Sequence, residues 1–158
     1  MTRDKANEII GDIGETIART YVEQLGYKVT KSTYKFDSKK DFLYEKDGRV
    51  IYAEVKTQQP FVYKEMFSYR VNQLPKCTEI DELYIVSIPP LMHPTYKYGG
   101  LLFKAEPKTK PLSLSEYTTK AGVRMYGFSI KQENLNIVSK ISKENVEKML
   151  KYAYSDYK

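Results

Sequence analysis

Asp41 and Glu54 are the residues of this sequence whose types and spacing best indicate chemistry, because a predicted β-hairpin places them opposite each other. The turn of that hairpin is Asp47-Gly48, since a two-residue type I′ turn needs positive φ at both central positions. Counting back from the turn pairs Asp41 with Glu54, with Cβ atoms about 4.5–5.5 Å apart, and puts Lys56 on the same face. Two carboxylates this close repel each other. We therefore expect a divalent cation between them.

A solvated surface is the alternative interpretation of this hairpin face. Under it, the two carboxylates and the lysine would simply point into water. The same face also carries Leu43, Val50 and Tyr52, and such apolar side chains are not typical of a wholly wet surface. We therefore favour a functional site over a solvated face.

The composition favours an anionic partner in a reducing compartment. The 158 residues include 26 lysines and arginines against 20 aspartates and glutamates, a net charge of +6, which suits nucleic acid but also an ordinary soluble surface. The single cysteine, Cys77, excludes an internal disulfide. No apolar run reaches the length of a membrane span, and the first residues lack the apolar core of a signal peptide. We expect a cytoplasmic protein, bacterial, archaeal or virus-encoded inside a host cell, without a membrane partner.

The order of predicted elements indicates an α/β (α+β) fold with a central mixed β-sheet flanked by helices. Hydrophobic periodicity predicts the helices, and β-rich runs between Gly, Pro and Asp predict the strands. We treat 1–158 as one domain, with a core over about 4–89 and a C-terminal extension over about 90–158. The predicted elements are a helix over 4–25, a strand over 27–34, the hairpin, a short helix closed by Pro75, a strand over 82–88, strands over 101–104 and 125–130 separated by a basic loop, and a helix capped by Ser142.

This order of elements, with Asp41 and Glu54-Val55-Lys56 on the central hairpin, resembles the PD-(D/E)XK nuclease superfamily over about residues 9–88. The resemblance implies an αβββαβ core of the restriction-endonuclease-like type. It assigns Asp41 and Glu54 as metal ligands, joined by the backbone carbonyl of Val55, and Lys56 as the catalytic lysine. The chain departs from the family pattern immediately before Asp41, where a lysine replaces a proline that varies within the family.

Three further residues are weaker candidates for the site, two from the family match and one from its place on the strand. Glu15 matches the acid that the first helix often contributes as a catalytic residue and metal ligand, but it could equally be an ordinary surface acid. Gln58 continues the face of Glu54, so it would either touch substrate or simply end the strand. Gln73 matches a glutamine found in some branches, where it would contact substrate, but Cys77 stands where those branches have a tyrosine.

The resemblance implies an endonuclease, which hydrolyses internal phosphodiester bonds of a DNA strand and leaves 5′-phosphate and 3′-hydroxyl ends. Carboxylate oxygens suit Mg²⁺, with Mn²⁺ as a substitute, and such a metal polarises the phosphate and activates water. Lys56 would position that water and stabilise the developing charge. The sequence has no Gly-rich phosphate loop, so we expect no nucleotide cofactor. His93, the single histidine, has no partner for a zinc site and is expected to be structural.

Basic residues near the predicted site suit duplex or branched DNA as the partner. Lys39 and Lys40 crowd the approach to Asp41, where they would follow the phosphate backbone or guard a strand edge. The basic loop over 104–124 is a second candidate for DNA contact. Small enzymes of this fold that resolve branched junctions act as homodimers, so a homodimer is also expected.

Three alternatives remain open at this stage. A catalytically inactive nucleic-acid-binding protein of the same fold would retain binding without cleavage, although such proteins usually lose an acid or the lysine. A structure-selective Holliday-junction resolvase would prefer branched DNA. An RNA-processing nuclease would prefer RNA or RNA–DNA hybrids to duplex DNA.

Overall fold

A central six-stranded mixed β-sheet organises the protein, and it confirms the predicted α/β (α+β) fold class. A computed structural model describes residues 1–31 and 41–153. The helices are α1 (Arg3–Gln24), α2 (Leu74–Thr78, after a 3-10 turn at Val71–Gln73) and α3 (Lys143–Ala153). The strands are β1 (Val29–Lys31), β2 (Phe42–Lys46), β3 (Arg49–Gln58), β4 (Met66–Arg70), β5 (Glu82–Ser87), β6 (Leu101–Ala105), β7 (Ser115–Thr118), β8 (Arg124–Ser129) and β9 (Leu135–Lys140).

The strand order of the large sheet is β1-β2-β3-β5-β6-β9. β3 and β5 pair in parallel, with Glu54 beside Leu83 and Lys56 beside Ile85, while the other described ladders of this sheet are antiparallel. A parallel pair requires a crossover connection. Here the crossover contains β4 and α2, so it carries the chain across one face of the sheet before returning as β5.

Helix α1 packs against one face of the sheet through a stripe of small and apolar residues. Its N-cap is Thr2, whose side chain accepts a hydrogen bond from the backbone N–H of Lys5 at 3.1 Å. Gly14 is the point of closest approach, because a Cβ atom there would lie 1.8 Å from Oγ1 of Thr57. The buried residues recur every fourth position, which keeps them on one side of the helix: Ala6, Ile10, Gly14, Ala18 and Val22.

Helix α3 joins α1 on the same face of the sheet. It begins after Ser142, whose side chain accepts from the N–H of Asn145 at 3.2 Å, so the predicted cap is confirmed. Met149 of α3 is fully buried in the core that also contains Ala18 and Val22 of α1. The two helices therefore close one hydrophobic core with the sheet.

A second, smaller sheet covers the opposite face of the large sheet. Its strand order is β4-β8-β7. Phe67 of β4 packs with Phe103 of the large sheet and Phe128 of β8, with ring centroids 5.1 and 6.0 Å apart. Residues after 89 thus form β6 and β9 of the large sheet, and they also supply about half of the buried residues between the two sheets. They are a structural part of the fold.

Several predicted boundaries were wrong. β4 and β9 were not predicted, and the basic loop over 104–124 contains β7. Pro75 lies in the first turn of α2 instead of closing it, because proline lacks the N–H that a first turn leaves unbonded anyway. The first predicted strand, 27–34, is described only as β1, and its remainder lies outside the described residues.

None of the helices within the described residues combines the length and apolar character that crossing a membrane would need.

Candidate active site

The β2–β3 hairpin follows the predicted register almost to the predicted site. Asp47 and Gly48 have φ of 52° and 75°, as a type I′ turn requires. The ladder runs from Lys46 opposite Arg49 to Phe42 opposite Ala53, and it ends there, one pair short of the predicted Asp41–Glu54 pair.

Asp41 leaves the ladder through a bulge. Its backbone N–H donates to the carbonyl of Ala53 at 2.8 Å, although Ala53 is already paired with Phe42. Two residues of one strand facing one of the other is the arrangement of a β-bulge, which re-aims a side chain. Oδ2 of Asp41 consequently accepts the backbone N–H of Val55 at 2.7 Å. The carboxylate thus occupies the place that the next residue of β2 would have taken beside β3.

Glu54 is a buried carboxyl group next to Asp41. Its exposed fraction is 5 %. Burial, followed by a hydrogen bond to the side chain of Asp41 and the negative charge of Asp41, raises the pKa of Glu54 to about 9, while Lys56 and Lys76 oppose the shift. The predicted closeness of the two acids is therefore present, and it contributes to the raised pKa of Glu54.

Lys56 lies on the same face of β3 as Glu54, and its position is fixed by Gln73. The ammonium Nζ donates to Oε1 of Gln73 at 2.7 Å. Gln73 lies immediately before α2, so the crossover lays this amide against the strand. Cys77, four residues further on, is buried, and burial raises the pKa of its thiol to about 12. This thiol is therefore a core residue beside the site and not a nucleophile.

Glu15 reaches the site from α1. It directly follows Gly14, whose close contact with β3 brings the next residue to the sheet. Burial, followed by the charge of Asp41, raises the pKa of Glu15. Its carboxylate lies 3.9 Å from Nε of Arg19, yet Oε1 is buried without a hydrogen-bond partner among the residues that the structure describes. An acceptor left without a donor in this way is costly, and it suits a ligand at this position.

Gln58 is held by β4. Its side-chain Nε2 donates to the carbonyl of Ser68 at 2.7 Å, and its Oε1 accepts the N–H of Ser68 at 2.9 Å. Both polar ends of this amide therefore tie β3 to β4. A substrate contact by Gln58 stays a prediction, while its structural role is visible.

The lysines predicted to contact DNA divide into described and undescribed residues. Lys39 and Lys40 lie outside the described residues. Lys104, at the start of the predicted basic loop, donates to Oε2 of the buried Glu82 at 2.9 Å. The other carboxylate oxygen of Glu82 accepts the hydroxyls of Tyr44 and Tyr84 at 2.7 and 2.9 Å. Lys104 therefore belongs to a closed internal network.

Lys76 is a basic residue near the candidate site that the sequence analysis did not single out. It lies three positions after Gln73, a spacing that places two side chains on one helical face, and its positive charge acts on Glu54. Because the short helix was predicted, the three-residue spacing from Gln73 could have placed Lys76 on the same side as Gln73 from the sequence alone. The misplaced helix end at Pro75 concealed it.

The side chains at the end of the ladder fit a hard divalent cation. Mg²⁺ characteristically takes one or two protein carboxylates and completes its shell with water and phosphate oxygens. Asp41 and Glu54 supply the carboxylates. The carbonyl of Val55 points to the same edge of β3 as its N–H, the edge where the β2 ladder has ended. Within 1–31 and 41–153, no three His, Cys, Asp or Glu side chains form a cluster that would hold a metal, so Glu15 stands beside this pair and not within a closed cage.

Comparisons with known proteins do not assign a family. No protein-family model matches the chain, and no curated protein matches its sequence. The solved structure of a bacterial homing endonuclease, I-Ssp6803I, is similar to this chain with a TM-score of 0.46 and 12% sequence identity, over 86% of this chain and 77% of that one. A similarity of this size carries no conclusion about activity.

Proposed function

We propose that the protein is a metal-dependent endonuclease that hydrolyses phosphodiester bonds in DNA, leaving 5′-phosphate and 3′-hydroxyl ends. The observation that carries the proposal is the buried carboxyl group of Glu54 beside the half-buried Asp41, with Lys56 held on the same face of β3 as Glu54. Two adjacent carboxylates repel each other, and a cation bound between them is the simplest reason for the arrangement. The proposal follows the PD-(D/E)XK resemblance of the sequence.

Asp41, Glu54 and the carbonyl of Val55 would hold the cation, with Glu15 at its edge. The chemistry supplied by bound Mg²⁺, or by Mn²⁺ in its place, would be charge neutralisation and polarisation of the scissile phosphate. Glu54, whose pKa is raised, would release its proton when the cation binds. The protein would thereby supply a second carboxylate oxygen beside Asp41.

Lys56 would place its ammonium against the phosphate oxygen that gains charge during hydrolysis. A compact ammonium suits such a developing charge. Gln73 restricts the flexible stem of this lysine, so less conformational freedom is lost when substrate binds. Lys76, on the same side, would bind a neighbouring phosphate of the backbone. We also propose that Gln58, Lys39 and Lys40 contact substrate and that the enzyme acts as a homodimer.

The decisive experiment is a cleavage assay on supercoiled plasmid, linear duplex, single strand, a four-way junction and RNA, each with Mg²⁺, Mn²⁺ or EDTA. The principal variant is Lys56→Ala. Its matched control is Lys148→Ala, which removes an exposed lysine of α3 that forms an ion pair with Glu144 of the same helix.

Metal-dependent cleavage that Lys56→Ala abolishes and Lys148→Ala preserves would support the proposal. The preferred substrate would then separate a general endonuclease from a junction resolvase or an RNA-processing nuclease. If folded wild-type protein binds DNA without cutting any substrate, the nuclease assignment is wrong and a binding protein of the same fold replaces it.

A further inference from the structure

We propose that an apolar groove beside the Phe61–Met66 turn binds an unstacked nucleobase, so that the protein prefers nucleic acids with single-stranded or unpaired positions. The groove is lined by the turn and by Tyr117 of β7. This inference rests on the proposed function for the class of its ligand. It adds a substrate class that the carboxylates and lysine of the site do not specify.

The turn that forms one wall is fixed by its backbone. Phe61 and Met66 exchange hydrogen bonds, N–H to carbonyl, at 2.9 and 3.3 Å. Glu65 adopts a positive φ of 48°, and its carbonyl accepts the N–H of Ile130 at 2.9 Å. Its carboxylate pairs with Lys131 at 2.7 Å. The side chains at the tip are therefore presented on an anchored frame.

Two aromatic rings are exposed on this frame. Tyr63 is 90% exposed and Phe61 is 47% exposed. The ring of Tyr63 lies edge-on to His93 with centroids 5.7 Å apart, and Phe61 lies edge-on to Tyr117 at 6.5 Å. Exposed aromatic faces are unfavourable in water unless they meet a partner, and nucleobases stack on them regardless of sequence.

The size and floor of the groove suit one planar base. Its volume is about 280 Å³, just below the usual range for drug-sized ligands, as expected for a single base. Its floor depends on Gly127, because a Cβ atom there would lie 2.9 Å from Sδ of Met66 and 3.3 Å from the ring of Tyr117.

The charges around the groove complement a phosphate backbone. Lys64 stands within the turn, and Lys97 lies close enough for its charge to act on Glu65. In the described part of the chain, neither lysine forms an ion pair, whereas Glu65, the acid of the turn, is neutralised by Lys131. An apolar groove with Lys64 in its wall fits a base with its phosphates better than it fits a purely apolar partner.

The groove lies within reach of the candidate active site along β3. Phe61 follows Lys56 by five positions, which a fully extended chain spans in about 17 Å. A nucleic-acid strand covers that distance in roughly five nucleotides at 3.4 Å each. The bonds between Gln58 and Ser68 hold this part of β3 against β4. One strand of substrate can therefore contact Lys56 and the groove at once.

The test measures binding in EDTA, where no cleavage is expected. The probes are a single-stranded oligonucleotide and its fully paired duplex, each carrying 2-aminopurine, whose fluorescence falls when the base stacks. Tyr63→Leu keeps an apolar side chain without an aromatic face, and Tyr63→Phe keeps the face. Ile137→Ala removes an exposed apolar side chain from β9, an edge strand of the large sheet that does not line the groove, and serves as the matched control.

We expect Tyr63→Leu to weaken single-strand binding by about 5- to 100-fold and to reduce the quenching of 2-aminopurine. Tyr63→Phe and Ile137→Ala should stay within about twofold of wild type, as should duplex binding by every variant. Thermal unfolding should be unchanged, because Tyr63 is almost wholly exposed.

Three results would overturn the inference: equal single-strand binding by the Leu and Phe variants, a parallel loss of duplex binding, or no nucleic-acid binding by wild type. Dissociation of a homodimer by Tyr63→Leu would instead assign this face to a second copy of the chain. Single-strand binding that depends on Tyr63 in a protein without cleavage would retain the groove and reject the nuclease.

Discussion

The ammonium of Lys56 and the side-chain amide of Gln73 are joined by a hydrogen bond of 2.7 Å between β3 and the segment that precedes α2. A lysine side chain is flexible and strongly hydrated. Here one acceptor from the crossover holds it on the face that carries Glu54. The position of the candidate catalytic lysine, Lys56, is therefore set by Gln73, which lies in a different element of the fold.

Replacement of Lys56 or Gln73 should separate chemistry from positioning. Lys56→Ala should reduce kcat by about 100- to 1,000-fold, since it removes a charge aimed at the transition state. Gln73→Leu should reduce kcat by about 10- to 100-fold with little change in KM, since it only releases the ammonium. Steady-state cleavage kinetics check both values.

Gln59→Leu is the control for this pair, because Gln59 is exposed just beyond the end of β3. A Gln73→Leu variant with raised KM and unchanged kcat would show that Gln73 binds substrate and does not position the lysine. Restored activity in Gln73→Glu would support positioning, because a carboxylate also accepts from an ammonium.

Asp41→Asn and Glu54→Gln should abolish cleavage and also remove the response of stability to Mg²⁺. A ligand that binds only the folded state stabilises it by about 2.7 kcal/mol at 100 times its dissociation constant. Thermal unfolding with increasing Mg²⁺ should therefore raise the midpoint of wild type but not of either variant. An equal rise in all three proteins would place cation binding elsewhere.

The stability of the metal-free protein should fall as the pH rises. Glu54 has a pKa raised from 4.5 to about 9 in the folded state, so between these values the unfolded chain releases a proton that the folded chain keeps. Stability is fully present below about pH 4.5 and is lost progressively toward pH 9. The raised pKa of Glu15 acts in the same direction.

Urea unfolding at several pH values in EDTA measures this dependence. Glu54→Gln cannot titrate, so its stability should change less over the same window. If the stability of the wild-type protein rises between pH 5 and 9, the pKa of Glu54 is not raised by burial.

Gly14→Ala should destabilise the protein, while Gly11→Ala should not. A Cβ atom at Gly14 would lie 1.8 Å from Oγ1 of Thr57, whereas nothing lies within 4 Å at Gly11. We expect a loss of about 1–3 kcal/mol for the first and a gain of up to about 1 kcal/mol for the second, from helix propensity. Chemical denaturation measures both, and Thr57→Ala should partly rescue Gly14→Ala.

The Glu82 network should be structural. Glu82→Ala leaves Lys104 and the hydroxyls of Tyr44 and Tyr84 without their shared acceptor, and we expect it to cost about 3–5 kcal/mol of folding free energy. Tyr44→Phe should cost only about 1 kcal/mol, since the remaining partners stay bonded. A loss of DNA affinity without loss of stability in Lys104→Ala would return Lys104 to the substrate-binding surface.

Local signals predicted the hairpin well. The Asp47-Gly48 turn fixes the register through nearest neighbours, so the pairing is correct as far as Phe42 and Ala53. The prediction stopped being correct at Asp41, where a bulge bends the chain out of the ladder. The alternation of apolar and polar residues does not predict a bulge, because the bulge is defined by backbone hydrogen bonds. Here it depends on the bond from Asp41 to Ala53, beyond the last ladder pair.

Long-range pairing explains the larger omissions. β4 pairs with β8, with Met66 opposite Ser129, and the partners are so far apart in sequence that neither stretch predicts the other. The contact of Lys56 with Gln73 has the same origin, since it depends on how the crossover crosses the sheet. The family resemblance suggested that Gln73 belonged to the site, but only the fold shows that its side chain bonds to Lys56.

The parallel pairing of β3 with β5 has a consequence for the order in which the protein folds. The β2–β3 hairpin needs only local contacts, and hairpins close in about 1–10 μs. The β3–β5 ladder must first close the long crossover that includes β4 and α2, and such non-local pairing is slow. During refolding, the carboxylates should therefore meet before Gln73 reaches Lys56. Cleavage activity should return later than the spectroscopic signal of the hairpin.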